Sequence, residues 1–117
     1  MKVATKPVGP DILRGTLDLL ILQALSHSRA HGYDIARRIE HSTEDVLAVG
    51  EGSLYPALHR LEARGWVAAT WGISDNNRQA KYYTLTVPGR AQLRVETANW
   101  HRYSSAVTAA LAARPAR

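Results

Sequence analysis

Apolar residues recur along the chain with two periods, and the change of period divides it into elements. From Asp11, a suitable N-cap, a first helix is predicted to run to Leu25 or Ser26. Its apolar residues Ile12, Leu13, Leu17, Leu19, Leu20, Ile21, Leu22, Ala24 and Leu25 cover nearly the whole circumference. A helix apolar all round is buried on more than one side, and one small domain covers only one of them. The other side is therefore expected to meet a second subunit. His27 to His31 reads as a polar connection. A second helix is predicted from near Gly32 to about Ser42, with Tyr33, Ile35, Ala36 and Ile39 inward and Asp34, Arg37, Arg38 and Glu40 outward. Thr43 to Gly52 reads as a linker that Val46, Leu47 and Val49 pin to the core. A third, short helix follows, with Leu54, Ala57, Leu58 and Leu61 on one stripe. Tyr55, Pro56, His59, Arg60 and Ala63 fall on the other side. Ser53 is its predicted cap, Pro56 its third residue and Gly65 its stop signal.

The period then shortens to two. Trp66 to Trp71 and Lys81 to Leu85 read as strands of a hairpin, with Gly72 to Gln79 as a long, polar, cationic tip. Lys81 and Tyr83 share one side of the second strand and Tyr82 takes the other, so at least one of the two tyrosines belongs to the core. Two strands alone are unstable in water, so the hairpin must pack on the helices. Thr86 caps a last helix with Pro88 in its first turn, running to about Ala113. Along it Leu93, Trp100 and Val107 recur every seven residues, with Tyr103, Ala110 and Leu111 beside them and Glu96 interrupting. So small a core cannot cover so long a stripe, which points to helix pairing between subunits.

Composition narrows the function classes. The chain has 117 residues and a net charge of +5. Residues 51–117 hold nine Lys and Arg against four Asp and Glu, which accounts for the whole excess. The positive charge thus begins at the third helix, and a basic half favours a polyanionic partner. There is no Cys, which excludes disulfides, thiol catalysis and Cys-ligated zinc and fits a reducing cytoplasm. No signal peptide is visible, and the most apolar run, Leu17 to Leu25, is too short to span a bilayer. No Ser-elbow, phosphate-loop or metalloprotease motif is present, so neither catalytic residues nor a cofactor are assigned. His27 and His31 are four apart but sit in a connection without supporting acids or thiols, so no metal site is assigned.

Helix, helix, helix, hairpin, long helix is the order of a winged helix-turn-helix with an added C-terminal helix. The expected fold is mainly α with a small β-hairpin. Within that order, four segments resemble the PadR family of bacterial transcriptional regulators, in its compact subgroup with a single C-terminal helix. They are Gly15 to Leu22, His31 to Ile35, Gly52 to Glu62, and Lys81 to Thr86 with Gly89. The resemblance covers about residues 12–105. Ser53 departs from it mildly, since the family often has Thr there. The resulting division is a flexible arm over 1–10, a winged-helix DNA-binding domain over 11–86, a dimerisation helix over 87–113 and a tail over 114–117.

The resemblance implies a homodimeric repressor on double-stranded DNA, with the third helix of each subunit in the major groove and the wing tip against the adjacent backbone or minor groove. The candidate DNA-binding residues are Ser53, Tyr55, Pro56, His59 and Arg60 on the third helix, and Asn77, Arg78, Gln79, Lys81 and Tyr83 on the wing. Arg60→Ala and Lys81→Ala are expected to weaken binding. The candidate dimer interface is Leu13, Leu17, Leu20, Leu93, Trp100, Tyr103, Val107 and Leu111. In multidrug-binding relatives a tryptophan at the place of Trp100 stacks flat aromatic effectors. Here Trp100 either does so, with Leu13, Leu17 and Leu20, or simply fills the dimer seam. Two other readings stay open at this point: a ligand- or protein-binding winged helix without DNA binding, and a binder of structured RNA.

Overall fold

The structure, a computed structural model, describes residue 13 and residues 15–115. Among the described residues, four helices and a three-stranded antiparallel sheet follow in the order α1 (Leu17–Ala24), β1 (Ala30–His31), α2 (Gly32–Ser42), α3 (Glu51–Ala63), β2 (Val67–Ile73), β3 (Gln79–Leu85) and α4 (Val87–Ala112). The strand order is β1-β3-β2. Ile21, Leu22, Ile35, Leu54, Leu58, Leu61 and Val67 are fully buried where α1, α2, α3 and the root of the sheet converge.

Several local expectations change. The first helix is not continuous from its predicted start. The Thr16 amide and hydroxyl both donate to the Leu13 carbonyl, at 3.0 and 3.2 Å, closing a turn after which α1 begins. Asp11, its predicted cap, lies outside the described residues, as do the 1–10 arm and residues 116–117. The predicted polar connection contains β1, which pairs Ala30 with Tyr83 and His31 with Tyr82. Two residues are too few to show a period in a sequence. The Arg38 guanidinium ties this connection down by donating to the carbonyls of Ala24, Ser28 and Arg29 at 2.9, 2.9 and 3.1 Å. His31 then caps α2, its Nδ1 accepting from the Asp34 amide at 3.3 Å.

Tyr33, predicted inward, is 62% exposed. It stands in the first turn of α2, where the inward place is taken by Gly32 against the Tyr55 ring. The third helix starts three residues earlier than predicted. Gly50 is its N-cap and the Leu54 amide makes the first helical bond, to Gly50 at 3.0 Å. Ser53 is therefore not the cap, and Pro56 is the sixth helical residue. Pro56 leaves the Gly52 carbonyl without its helical donor. Both residues lie on the exposed side, where water can satisfy that carbonyl. Gly65 ends the helix as predicted. It adopts φ +77°, with its amide on the Glu62 carbonyl and the Trp66 amide on the Leu61 carbonyl, both at 3.0 Å.

The wing is longer and its tip tighter than predicted. β2 and β3 pair from Val67 with Leu85 out to Ile73 with Gln79. Only Ser74 to Arg78 form the turn, closed by Ser74 amide to Arg78 carbonyl at 2.8 Å. Asn77 takes the left-handed position at φ +59°, which asparagine tolerates in such a bulged turn.

The last helix begins as predicted, with the Thr86 hydroxyl accepting from the Gly89 amide at 3.0 Å and donating to the Gly65 carbonyl at 2.6 Å. Gly89 lies so close to the Trp66 carbonyl that a Cβ would overlap that oxygen. Leu93 is buried in the core, whereas the apolar residues from Trp100 to Leu111 are exposed.

Candidate nucleic-acid interface

The four-residue stripe of α3 anchors it in the core, so its opposite side is presented outward. Ser53, Tyr55, Pro56, His59 and Arg60 are all exposed there. Tyr55 is fixed more tightly than an ordinary surface side chain. A Cβ on Gly32 would lie 2.7 Å from the ring, so glycine is what lets the ring pack on the start of α2. Two of the three Arg and Lys side chains with predicted DNA roles, Arg60 and Lys81, are already paired within the chain. Arg60 Nη2 sits 2.8 Å from Asp18 Oδ1 of α1, and Lys81 Nζ sits 3.3 Å from Glu62 Oε1 of α3. All four side chains are partly exposed, and such pairs contribute only about 0–1 kcal/mol. A phosphate can therefore replace either carboxylate at little cost, but neither cation starts out free.

On the wing, Asn77, Arg78 and Gln79 are exposed at or beside the tip. Tyr83 is not available to DNA in the same way. It is 5% exposed and belongs to the core, which pushes its phenol pKa up by desolvation. Of the Tyr82–Tyr83 pair it is thus Tyr83 that is inward. Tyr82 packs against His31 with ring centroids 5.5 Å apart, and the Arg29 guanidinium lies 4.5 Å from the centre of its ring.

Between the start of α2, the exposed side of α3 and the underside of the wing runs an open cleft of about 940 Å³. Tyr33, Tyr55, Trp71, Arg78 and Lys81 all line it. Tyr33 and Trp71 were missing from the candidate list. Trp71 had a legible signal: Val67, Ala69, Trp71 and Ile73 share one side of β2, and that inward side continues past the helices that cover its root. Tyr33 had none, because its position in a helical stripe marks it as core.

A second surface lies between α1 and α4. Its groove is lined by Thr16, Leu19, Glu96, Trp100, Tyr103 and Val107, among others. Trp100 is where the ligand reading expects it, but its expected companions are not. Leu13 and Leu17 are buried in their own chain's core, Leu20 does not line the groove, and Leu19 does instead. Leu13, Leu17 and Leu93 are thus too buried to offer a partner much surface, while Trp100, Tyr103, Val107 and Leu111 are exposed. Glu96 Oε2 is buried with no hydrogen-bond partner among the described residues. Burial pushes its carboxyl pKa up, the nearby Asp18 charge adds to this, and a hydrogen bond from Gln92 and the Arg64 charge oppose it. Among the described residues no group of three His, Asp or Glu could hold a metal ion, and no helix is long and apolar enough to cross a membrane.

Comparison with known proteins gives this arrangement a context. The family described as transcriptional regulator PadR-like matches residues 21–95. The chain is 32% identical over 93 residues to Uncharacterized protein X of Lysinibacillus sphaericus, covering 80% of this chain and 85% of that one. It is 32% identical over 80 residues to Transcriptional regulator Rv3488 of Mycobacterium tuberculosis, covering 68% and 71%. Among solved structures it is similar to a PadR-like transcriptional regulator from Bacillus cereus, with a TM-score of 0.74, 28% identity and coverage of 89% and 99%. A transcriptional regulator from Clostridium thermocellum gives a TM-score of 0.76 at 26% identity, covering 84% and 95%.

Proposed function

The chain belongs to the PadR-like family of transcriptional regulators, and from that premise we propose that it is a homodimeric repressor binding an inverted-repeat operator in the cytoplasm. The observation that carries this reading is the exposed side of α3 beside the wing, in the half of the chain that holds the whole positive excess. Residues 11–86 act as the DNA-binding unit, and 87–113 as the dimerisation helix. Tyr55, His59 and Arg60 face the major groove; Ser53 and the free amides at the start of α3 suit a phosphate. Asn77, Arg78, Gln79 and Lys81 meet the backbone flanking it. Two-fold symmetry places the half-site centres about 34 Å apart, or a multiple of that.

Dimerisation is supported by the exposed α4 stripe of Trp100, Tyr103, Val107 and Leu111. A flat aromatic effector entering beside Trp100 would release the operator by altering that pairing. Titrating such compounds against tryptophan emission tests this effector role; unchanged emission and operator affinity at saturating compound would remove it. The DNA reading itself is tested by titrating a duplex from the protein's own promoter at several salt concentrations. Affinity should fall steeply as salt rises. Absence of binding at low salt would reject the reading and favour a winged helix that binds only ligands or proteins.

A further inference from the structure

Tyr33 and Trp71 are exposed aromatics on the DNA side with no role in the contacts assigned so far. We propose that Tyr33, Tyr55 and Trp71 together form an uncharged clamp on the sugar-phosphate strand that passes from α3 to the wing. This rests on the DNA-binding reading above and adds how the backbone is held.

The three side chains come from three elements, α2, α3 and β2, and line one cleft. They are 62%, 46% and 67% exposed, which is unusual for such large rings gathered in one place. Each ends in a donor, an O–H or the indole N–H, on an apolar body. Apolar ring surface suits a deoxyribose and the donor at its edge suits a phosphate oxygen. Local contacts pre-organise them. Arg37 Nη1 donates to the Tyr33 phenol oxygen at 3.2 Å, which leaves the phenol's own proton free to point outward. Tyr55 is backed by Gly32 and cannot turn inward. Trp71 is held in the ladder opposite Lys81.

The neighbouring charges explain why uncharged donors matter here. Lys81 is engaged by Glu62 and Arg60 by Asp18. Asp34 and Asp75 also line the cleft; His31 Nε2 lies 3.3 Å from Asp34, and Arg78 stands beside Asp75 at the tip. Cations and acids in the cleft thus nearly balance, while the donors of the three rings point to an anionic strand.

Backbone contacts carry no sequence information, so a mixed-sequence duplex and the promoter duplex should respond alike. Affinity of wild type, Tyr33→Ala, Tyr33→Phe, Trp71→Ala and Trp71→Phe is measured on both across a salt series. Each alanine variant should bind both duplexes roughly threefold to tenfold more weakly. The slope of log affinity against log salt should not change, because no charge is removed. The phenylalanine variants should keep the apolar part and lose the donor part. In a Trp66→Phe, Trp100→Phe background, emission from the remaining Trp71 should change on DNA addition. If wild type binds while Trp71→Ala and Tyr33→Ala match it, the clamp is wrong and the DNA reading stands. A salt slope shallower by about one in the alanine variants also overturns it, since the rings would then only be positioning a cation. If those variants instead change self-association in sedimentation, the surface meets a second copy and the clamp is again wrong. If wild type binds neither duplex at low salt, both readings fall together.

Discussion

Two exposed aromatic surfaces stand out among the described residues, and they differ in what accompanies the rings. Around the wing cleft, Tyr33, Tyr55 and Trp71 stand among Arg78, Lys81, Asp34 and Asp75, whose charges nearly balance, and the rings end in donors. On α4, Trp100 and Tyr103 share their groove with Leu19 and Val107, and the buried Glu96 oxygen has no hydrogen-bond partner among the described residues. The first surface is built for a wet, anionic partner, whose phosphates accept from O–H and N–H groups. The second, with its exposed Trp100, Tyr103, Val107 and Leu111, suits the proposed pairing with another apolar surface, where area matters more than donors. An exposed tryptophan therefore says little by itself; its neighbours decide which partner it suits.

The strongest way to break the comparison is at the joint between the two surfaces. Gly89→Ala drives a methyl group into the Trp66 carbonyl, a backbone atom that cannot swing aside. A loss of about 3 kcal/mol in urea unfolding is expected, with both surfaces disturbed together. An unchanged midpoint would mean that the packing of α4 on the wing root is looser than described. Val107→Glu acts on the α4 surface alone. On the proposed dimeric reading it should shift the protein to monomer in sedimentation and weaken operator binding by about a hundredfold, because two half-sites would no longer be engaged together. Binding that survives in a monomer would remove dimerisation from the mechanism.

A smaller change sharpens the wing side. Asp18→Asn frees Arg60 from its 2.8 Å partner and should raise duplex affinity by roughly threefold, given how little such exposed pairs contribute. If affinity falls instead, Asp18 is holding Arg60 in its working position rather than competing with phosphate. The smallest effect is expected at Glu96. Its folded carboxyl pKa is raised above the ordinary value, chiefly by burial. The folded state thus binds more protons than the unfolded chain between the two pKa values, and stability falls as pH rises through that window. Glu96→Gln should raise the neutral-pH melting temperature slightly and flatten its rise on acidification. A lower neutral-pH melting temperature would mean that favourable interactions of the ionised Glu96 outweigh its burial.

Much of this fold was legible residue by residue. The Leu54, Ala57, Leu58 and Leu61 stripe, the Gly65 stop, the Thr86 cap and the two wing strands all follow from local chemistry that needs no neighbours. Elements set by distant partners were not legible. β1 exists because Tyr82 and Tyr83 offer a free edge to Ala30 and His31, more than fifty residues earlier in the chain. Tyr33 is exposed while its neighbour Gly32 is buried against the Tyr55 ring, a contact from another helix. Leu13 and Leu17 were assigned to a partner because an all-round apolar helix does not reveal which of its sides its own core will take.

The sequence by itself determined the order of the helices and the wing hairpin, the inward stripe of α3 and the basic C-terminal half, since period, capping and charge are local or additive properties. Tertiary structure alone decided which cations were already paired, which tyrosine of Tyr82 and Tyr83 was buried, and which aromatics gathered in the wing cleft. Those outcomes depend on side chains far apart in the chain approaching within a few ångströms, and periodicity carries no record of that approach.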